Sequence, residues 1–223
     1  PDRPARRRLP RGARALRNAM QPPPEVCDSL RAAARAGDIV RVSALLDSGA
    51  PADAPDADGG TLLHFALGTR RHEVASLLLE RRASVAAADS TGTTCLHVAA
   101  ATCPLEVCRQ LLDAQADPSA RDSQGNTPLH VAALEAPSVG ILELLLGRRA
   151  SVDANASDGR APLSMAAARE PEWCEALLDA EADLHAQDAS GACAAMAAAR
   201  AGNATALRAL LGRRADAEAQ DLR

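Results

Sequence analysis
The sequence has no lysine and no tyrosine, and only one phenylalanine and one tryptophan among its 223 residues. A core almost without aromatics has to be made from Leu, Val and Ala, side chains that suit closely packed helices better than a sheet sandwich. No run of about 18 apolar residues occurs, because Arg, Asp or Glu interrupts every Ala-rich stretch, and this excludes a membrane-spanning helix. The six cysteines (Cys27, Cys95, Cys103, Cys108, Cys174 and Cys193) form no CxxC pair, and no apolar signal-peptide core follows the basic N-terminus. Reduced thiols packed as small apolar groups are therefore expected.

What is present is alanine, 53 residues of it, and arginine, which supplies all 25 basic side chains. Hydrophobic residues make up 47%, too many for wholesale disorder. Charge is divided unevenly. Residues 1–24 carry seven Arg and one acid, while the remainder carries 18 Arg against 28 acids. An Arg/Pro-rich arm, expected to be disordered, thus precedes an acidic body. Three readings of the arm stay open: a solvated tail, a nuclear or organelle address, or a contact with nucleic acid or another acidic surface. Its lack of aromatics leaves nothing to stack on bases, which counts against nucleic acid.

A period organises the rest. The pairs Leu45-Leu46, Leu78-Leu79, Leu111-Leu112, Leu145-Leu146, Leu177-Leu178 and Leu210-Leu211 recur at steps of 33, 33, 34, 32 and 33 residues. Gly59, Gly92, Gly125, Gly159 and Gly191 share the same steps and the same slips. One period shows the local logic. Asp122-Ser123-Gln124-Gly125 is a turn, Thr127-Pro128 starts a helix, and Leu129, Ala132 and Ala133 give it a narrow apolar face. Ala136-Pro137-Ser138 breaks that helix, and Ile141, Leu142, Leu145 and Leu146 return at helical spacing. Neither short helix buries its stripe alone, so the units must stack.

Thr127-Pro128-Leu129-His130-Val131-Ala132-Ala133 resembles the signature of the ankyrin repeat. Residues 61–66 and 94–100 match it with the proline replaced, residues 160–191 carry Ser164 in place of the histidine, and residues 192–223 keep only the Ala-rich helix and a Leu pair. Leu30 to Asp38, followed by Leu45-Leu46, resembles the family's capping first repeat. The resemblance implies an all-α solenoid of about six helix-turn-helix repeats with short β-hairpin turns, near 25–56, 57–89, 90–122, 123–156, 157–188 and 189–221. A turn Gly is due one position beyond Arg223, so the array is expected to continue past the given sequence.

Three isolated readings fail on spacing. His64, His97 and His130 fall one repeat apart, roughly 8–10 Å, whereas ligands of one zinc lie within about 4 Å of each other; the family resemblance instead makes this His a brace of the turn. Asp56-Ala57-Asp58-Gly59 faintly resembles a calcium loop but puts Ala54 and Phe65 at ligand positions. No Gly-rich phosphate loop and no Ser/His/Asp or Cys/His spacing stands outside the repeat frame, so no catalytic residue, metal or cofactor is expected.

Function is therefore sought on the surface. The resemblance implies protein–protein recognition through hairpin tips and a concave first-helix face, with no small-molecule substrate. Carried over by position, the tips are Ser90, Thr91 and Thr93, then Ser123, Gln124 and Asn126, then Asp158 and Arg160. The helix face contributes Thr69, Thr102, Leu134, Glu135 and Arg169, with Leu134 as apolar anchor and the two arginines as hot spots. A non-catalytic scaffold is the main expectation. The alternative is the targeting segment of a larger enzyme such as a kinase, phosphatase regulator or ubiquitin ligase. An intracellular location is expected, the cytoplasm first, with the nucleus or an organelle open through the arm.

Two further patterns concern the loop after each second helix. Arg81-Arg82, Arg148-Arg149 and Arg213-Arg214 alternate with Asp47, Asp113 and Asp179, so that stacking should bring Arg148 near both Asp113 and Asp179. This reads either as a solvated edge or as a basic stripe for an acidic partner. The family prefers Gly at the next position, which only Gly49 keeps; Arg82, Gln115, Arg149, Glu181 and Arg214 replace it. Either these residues are strained or the loop avoids positive φ.

Overall fold
The structure, a computed structural model, describes residues 24–213 apart from Glu170. The arm lies outside these residues except for Pro24, as do Arg214 and the closing residues 221–223. Among the described residues there are twelve helices and no strand.

The chain divides into two compact units, Pro1–Pro51 and Ala52–Arg223. In the first, α1 (Pro24–Ala36) packs on α2 (Ile39–Asp47). Gly37, at φ 73°, ends α1, and the Asp38 carboxylate caps α2 by accepting the Arg41 N–H at 3.0 Å. Leu30, Ala33 and Ala34 of α1 and Val42 of α2 are buried.

The second unit repeats one helix pair. Its first helices are α3 (Leu62–Gly68), α5 (Cys95–Thr102), α7 (Pro128–Glu135), α9 (Pro162–Ala167) and α11 (Ala194–Arg200). Its second helices are α4 (His72–Glu80), α6 (Leu105–Asp113), α8 (Val139–Gly147), α10 (Pro171–Asp179) and α12 (Ala204–Gly212). First helices pack on first helices in succession, and second on second, so two rows of helices share one core. The residues that carry the period fill it. Leu78, Leu111, Leu145, Leu177 and Leu210 are each fully buried, as are Leu63, Leu96, Leu129 and Leu163 of the first row. Alanines 66, 99, 132, 166 and 198 are also fully buried, and their small size lets neighbouring helices approach closely.

Thr61, Thr94 and Thr127 hold extended backbone at the N-caps, and Pro128 and Pro162 occupy the first helical position as their sequence context predicts. After α4, α6, α8 and α10 the loop does not avoid the left-handed region. Arg82, Gln115, Arg149 and Glu181 stand at φ 59°, 67°, 65° and 64°. The N–H groups of the two residues there still close on the helix end: Arg149 N–H donates to Leu146 O and Ala150 N–H to Leu145 O, both at 3.0 Å. The C-terminal hydrogen bonds of a helix thus hold a non-glycine residue where glycine is favoured.

Candidate functional site
Four of the five turns between the described repeats are built around an aspartate. Asp122 Oδ1 accepts the N–H groups of Gln124 and Asn126, both at 2.8 Å, and Asp56, Asp89 and Asp188 repeat the arrangement. Asp56 is therefore committed to its own backbone. Burial works against charge on Asp89 and Asp188, but hydrogen bonds from Thr91 and Thr93, and from Ser190 and Ala192, outweigh it and hold both carboxyls below their ordinary value. The fourth turn differs. Ala156 takes the place of the aspartate, and Asp158, further along, instead binds the Arg160 N–H at 3.1 Å and its guanidinium at 2.6 Å.

Neighbouring tips are joined by one backbone hydrogen bond each. Ser90 N–H donates to Asp58 O, Ser123 to Thr91 O, Ser157 to Gln124 O and Ala189 to Asp158 O, at 2.7, 2.7, 2.8 and 2.8 Å. This closeness explains the periodic glycine. At Gly159, φ is 79° and an added Cβ would lie 2.8 Å from the Ala189 nitrogen.

The three histidines span the same junctions. His64, His97 and His130 accept the N–H of Thr61, Thr94 and Thr127 on Nδ1 at 3.2, 3.2 and 3.1 Å. Nδ1 is thereby an acceptor, so the ring hydrogen sits on Nε2. From there each donates at 3.1 Å to a carbonyl of the following turn: Thr93, Asn126 and Arg160. The brace is therefore an inter-repeat one. Burial pushes His97 and His130 below the ordinary histidine value, favouring this neutral form. Cys95 Sγ lies 3.4 Å from His64 Nδ1, a Cys–His contact that spacing alone did not show. Burial pushes that thiol up to about 12, which removes it as a nucleophile. The thiols of Cys108 and Cys174 are likewise pushed up to about 12 by burial.

Between the tips and the first helices runs an open groove. One part, about 350 Å³, has Val98, Val131, Leu134 and Met165 as its apolar surface, with Thr93, Gln124, Asn126, Glu135 and Arg160 among its polar walls. A second part of about 320 Å³ shares Leu134, Arg160 and Met165 and extends to Ser190 and Arg200. Leu134 is 41% exposed, unusual for a large apolar side chain in this chain.

A family profile for ankyrin repeats, described as three copies, matches residues 29–122, 87–156 and 129–221. The chain is an ankyrin-repeat protein. Ankyrin repeats are in general protein–protein interaction modules. Among curated proteins none matches the chain. No helix among the described residues is long and apolar enough to cross a membrane.

On this ankyrin frame the sequence-predicted residues separate into two groups. Thr93, Gln124, Asn126, Leu134, Glu135 and Arg160 line the groove together. Thr69, Thr102, Ser90, Thr91, Ser123, Asp158 and Arg169 fall outside the linings of its two parts. The reasons are local. The Thr102 hydroxyl is turned inward, donating to Val98 O at 2.8 Å and reaching Leu67 O at 3.3 Å, and the Thr69 hydroxyl donates to Phe65 O at 2.7 Å. Ser90, Thr91, Ser123 and Asp158 are exposed on the turns themselves, and Arg169 is exposed at the end of α9. Val98, Ala101, Val131, Met165, Ala168 and Arg200 line the groove and were not foreseen. Stepping by the period from Leu134 reaches Ala101, Ala168 and Arg200, so the register contained this row.

The opposite edge carries the alternating charges. Arg148 donates to Asp113 of the preceding repeat at 2.8 Å. Asp179, expected beside Arg148 as well, is instead bound by Arg213 of the repeat that follows it. The ladder runs in one direction.

Proposed function
We propose that this ankyrin-repeat protein is a non-catalytic docking module whose partner is another protein, held between the hairpin tips and the first-helix row. The observation that carries this reading is the groove: an apolar floor of Val98, Val131, Leu134 and Met165 beneath polar tips that the turn hydrogen bonds hold in place. Apolar anchors surrounded by ordered polar groups are the ordinary anatomy of a protein interface. Leu134 supplies the anchor and Arg160, fixed by Asp158, a directed cation. Arg169, exposed next to the groove-lining Ala168 in the chain, extends this surface in the proposal. Few aromatics are available, so affinity comes from area spread over several repeats more than from one deep pocket.

The test is partner capture with the full chain, with a photoreactive residue in place of Glu135. Specific crosslinks are expected to one or a few proteins, and Leu134→Arg or Arg160→Glu should abolish them. Glu172→Arg on the second-helix row should leave them intact. Crosslinks that survive both groove substitutions would sink the reading.

A further inference from the structure
The arginine pairs behind the second helices have a consequence beyond the charged edge. Arg81-Arg82-Ala83-Ser84-Val85 and Arg148-Arg149-Ala150-Ser151-Val152 are the same five residues in two repeats. We propose that Ser151, and more slowly Ser84, is phosphorylated by an arginine-directed serine kinase, one whose peptide cleft reads two guanidinium groups before the serine and an apolar side chain after it. Carboxylates in such a cleft bind guanidinium groups bidentately, which fixes both the register and the choice of serine.

The structure supports Ser151 on three counts. The residue is exposed, as is Arg149. The Arg148 guanidinium is held by a surface ion pair to Asp113, which contributes little and exchanges readily for another carboxylate. Arg149 sits at φ 65°, so drawing the loop out into the extended form a kinase needs releases an unfavourable backbone conformation. That opening must break the hydrogen bonds of Arg149 and Ala150 to Leu146 and Leu145. The segment lies outside both neighbouring helices, where local opening is least costly, although Ala150 is buried when the loop is closed.

The frame also accepts the product. Asp117 and Asp183 occupy the equivalent position in the alternate repeats, each carboxylate accepting the N–H two residues on, from Ser119 and His185, at 2.8 Å. An anion at residue 151 therefore has two precedents in this chain. Ser84 is less favourable. It is half-buried, and its N–H donates to the Asp53 carboxylate at 2.8 Å, so opening that loop breaks one more hydrogen bond. In the reaction the Ser151 Oγ attacks the γ-phosphorus of Mg·ATP and the bond from that phosphorus to the leaving oxygen of ADP breaks. The hydroxyl proton passes to the kinase's catalytic carboxylate.

The experiment incubates the full chain with Mg·ATP and the catalytic subunit of cyclic-AMP-dependent protein kinase, and locates phosphate by peptide mass spectrometry. A synthetic peptide of residues 145–154 runs in parallel. Phosphate is expected on Ser151 before Ser84 and to vanish from that peptide in Ser151→Ala. Arg148→Gln with Arg149→Gln should lower the initial rate about tenfold or more, the loss of two charge-assisted contacts. Thermal melts of each variant check that folding is retained. The proposal is overturned if the peptide is modified but the folded chain is not, if label falls on other residues, or if the arginine variant reacts at the original rate.

Discussion

His130 joins two repeats by donating from Nε2 to the Arg160 carbonyl, while its Nδ1 accepts the N–H of Thr127 at the start of its own helix. The ring serves this way only when neutral, because a protonated imidazole has no acceptor for Thr127. Burial depresses the folded value for His130 and His97 below the ordinary 6.5. The sign follows. Below about pH 6.5 the unfolded chain takes up protons that the folded chain refuses, so stability is full above that pH and falls as acid is added, until the folded histidines also titrate. Urea melts should show the folded state losing up to about 1.4 kcal/mol per histidine for each pH unit in that window. His97→Gln with His130→Gln should flatten the dependence between pH 7.5 and 5.5. A slope unchanged in that double variant would contradict the assignment.

Gly159 and Gly202 separate two costs of replacing a turn glycine. Both have positive φ, but an added Cβ at Gly159 meets the next repeat's backbone at 2.8 Å, whereas at Gly202 nothing lies within 4 Å. Gly202→Ala should cost about 1 kcal/mol, the backbone term alone. Gly159→Ala should cost that plus about 1–3 kcal/mol for pushing two turns apart. Chemical denaturation of the two variants measures the difference, and equal losses would mean that the junction yields freely.

The six thiols should divide by burial. Cys95, Cys103, Cys108, Cys174 and Cys193 are buried, and Cys27 alone is half-buried. With the thiols of Cys95, Cys108 and Cys174 pushed up to about 12 by burial, thiolate is scarce there at neutral pH as well as shielded. A thiol-reactive dye should label one cysteine quickly in the native chain and the other five only in denaturant. Rapid labelling of Cys95 would show that its junction opens far more readily than its packing indicates.

Much of the architecture is legible in the linear period, because Leu pairs, turn glycines and Thr starts each have a one-dimensional spacing. Thr127-Pro128 opens α7 and Leu145 lies fully buried in α8, as that spacing predicts. What joins repeats is less visible. The periodicity places Arg148 near the aspartates of both neighbouring repeats, whereas in the structure it pairs with Asp113 and Arg213 takes Asp179, a choice that one-dimensional spacing does not contain. The groove is half legible for a similar reason. Leu134 stands out as a large apolar residue on a helix end, while Val98, Val131 and Met165 read like core residues until it is known which side of the first row is left uncovered.

The loop after each second helix offers the sharpest energetic test, because strain and side-chain contacts can be separated there. Arg149 at φ 65° is in a region that costs a residue with a Cβ about 1–2 kcal/mol relative to the right-handed one, while glycine enters it freely. Glycine gives back part of that gain through the greater freedom of the unfolded chain, so Arg149→Gly should stabilise by about 0.5–1 kcal/mol. Arg149→Ala keeps the strained backbone and removes only the guanidinium, so it should change stability by less than about 0.5 kcal/mol. Arg82, Gln115 and Glu181 share the conformation in other repeats. The positions are far enough apart for their gains to add, and the fourfold glycine variant should gain about 2–4 kcal/mol in urea unfolding. Stabilisation by alanine equal to that by glycine would place the cost in the arginine side chain and not in the backbone.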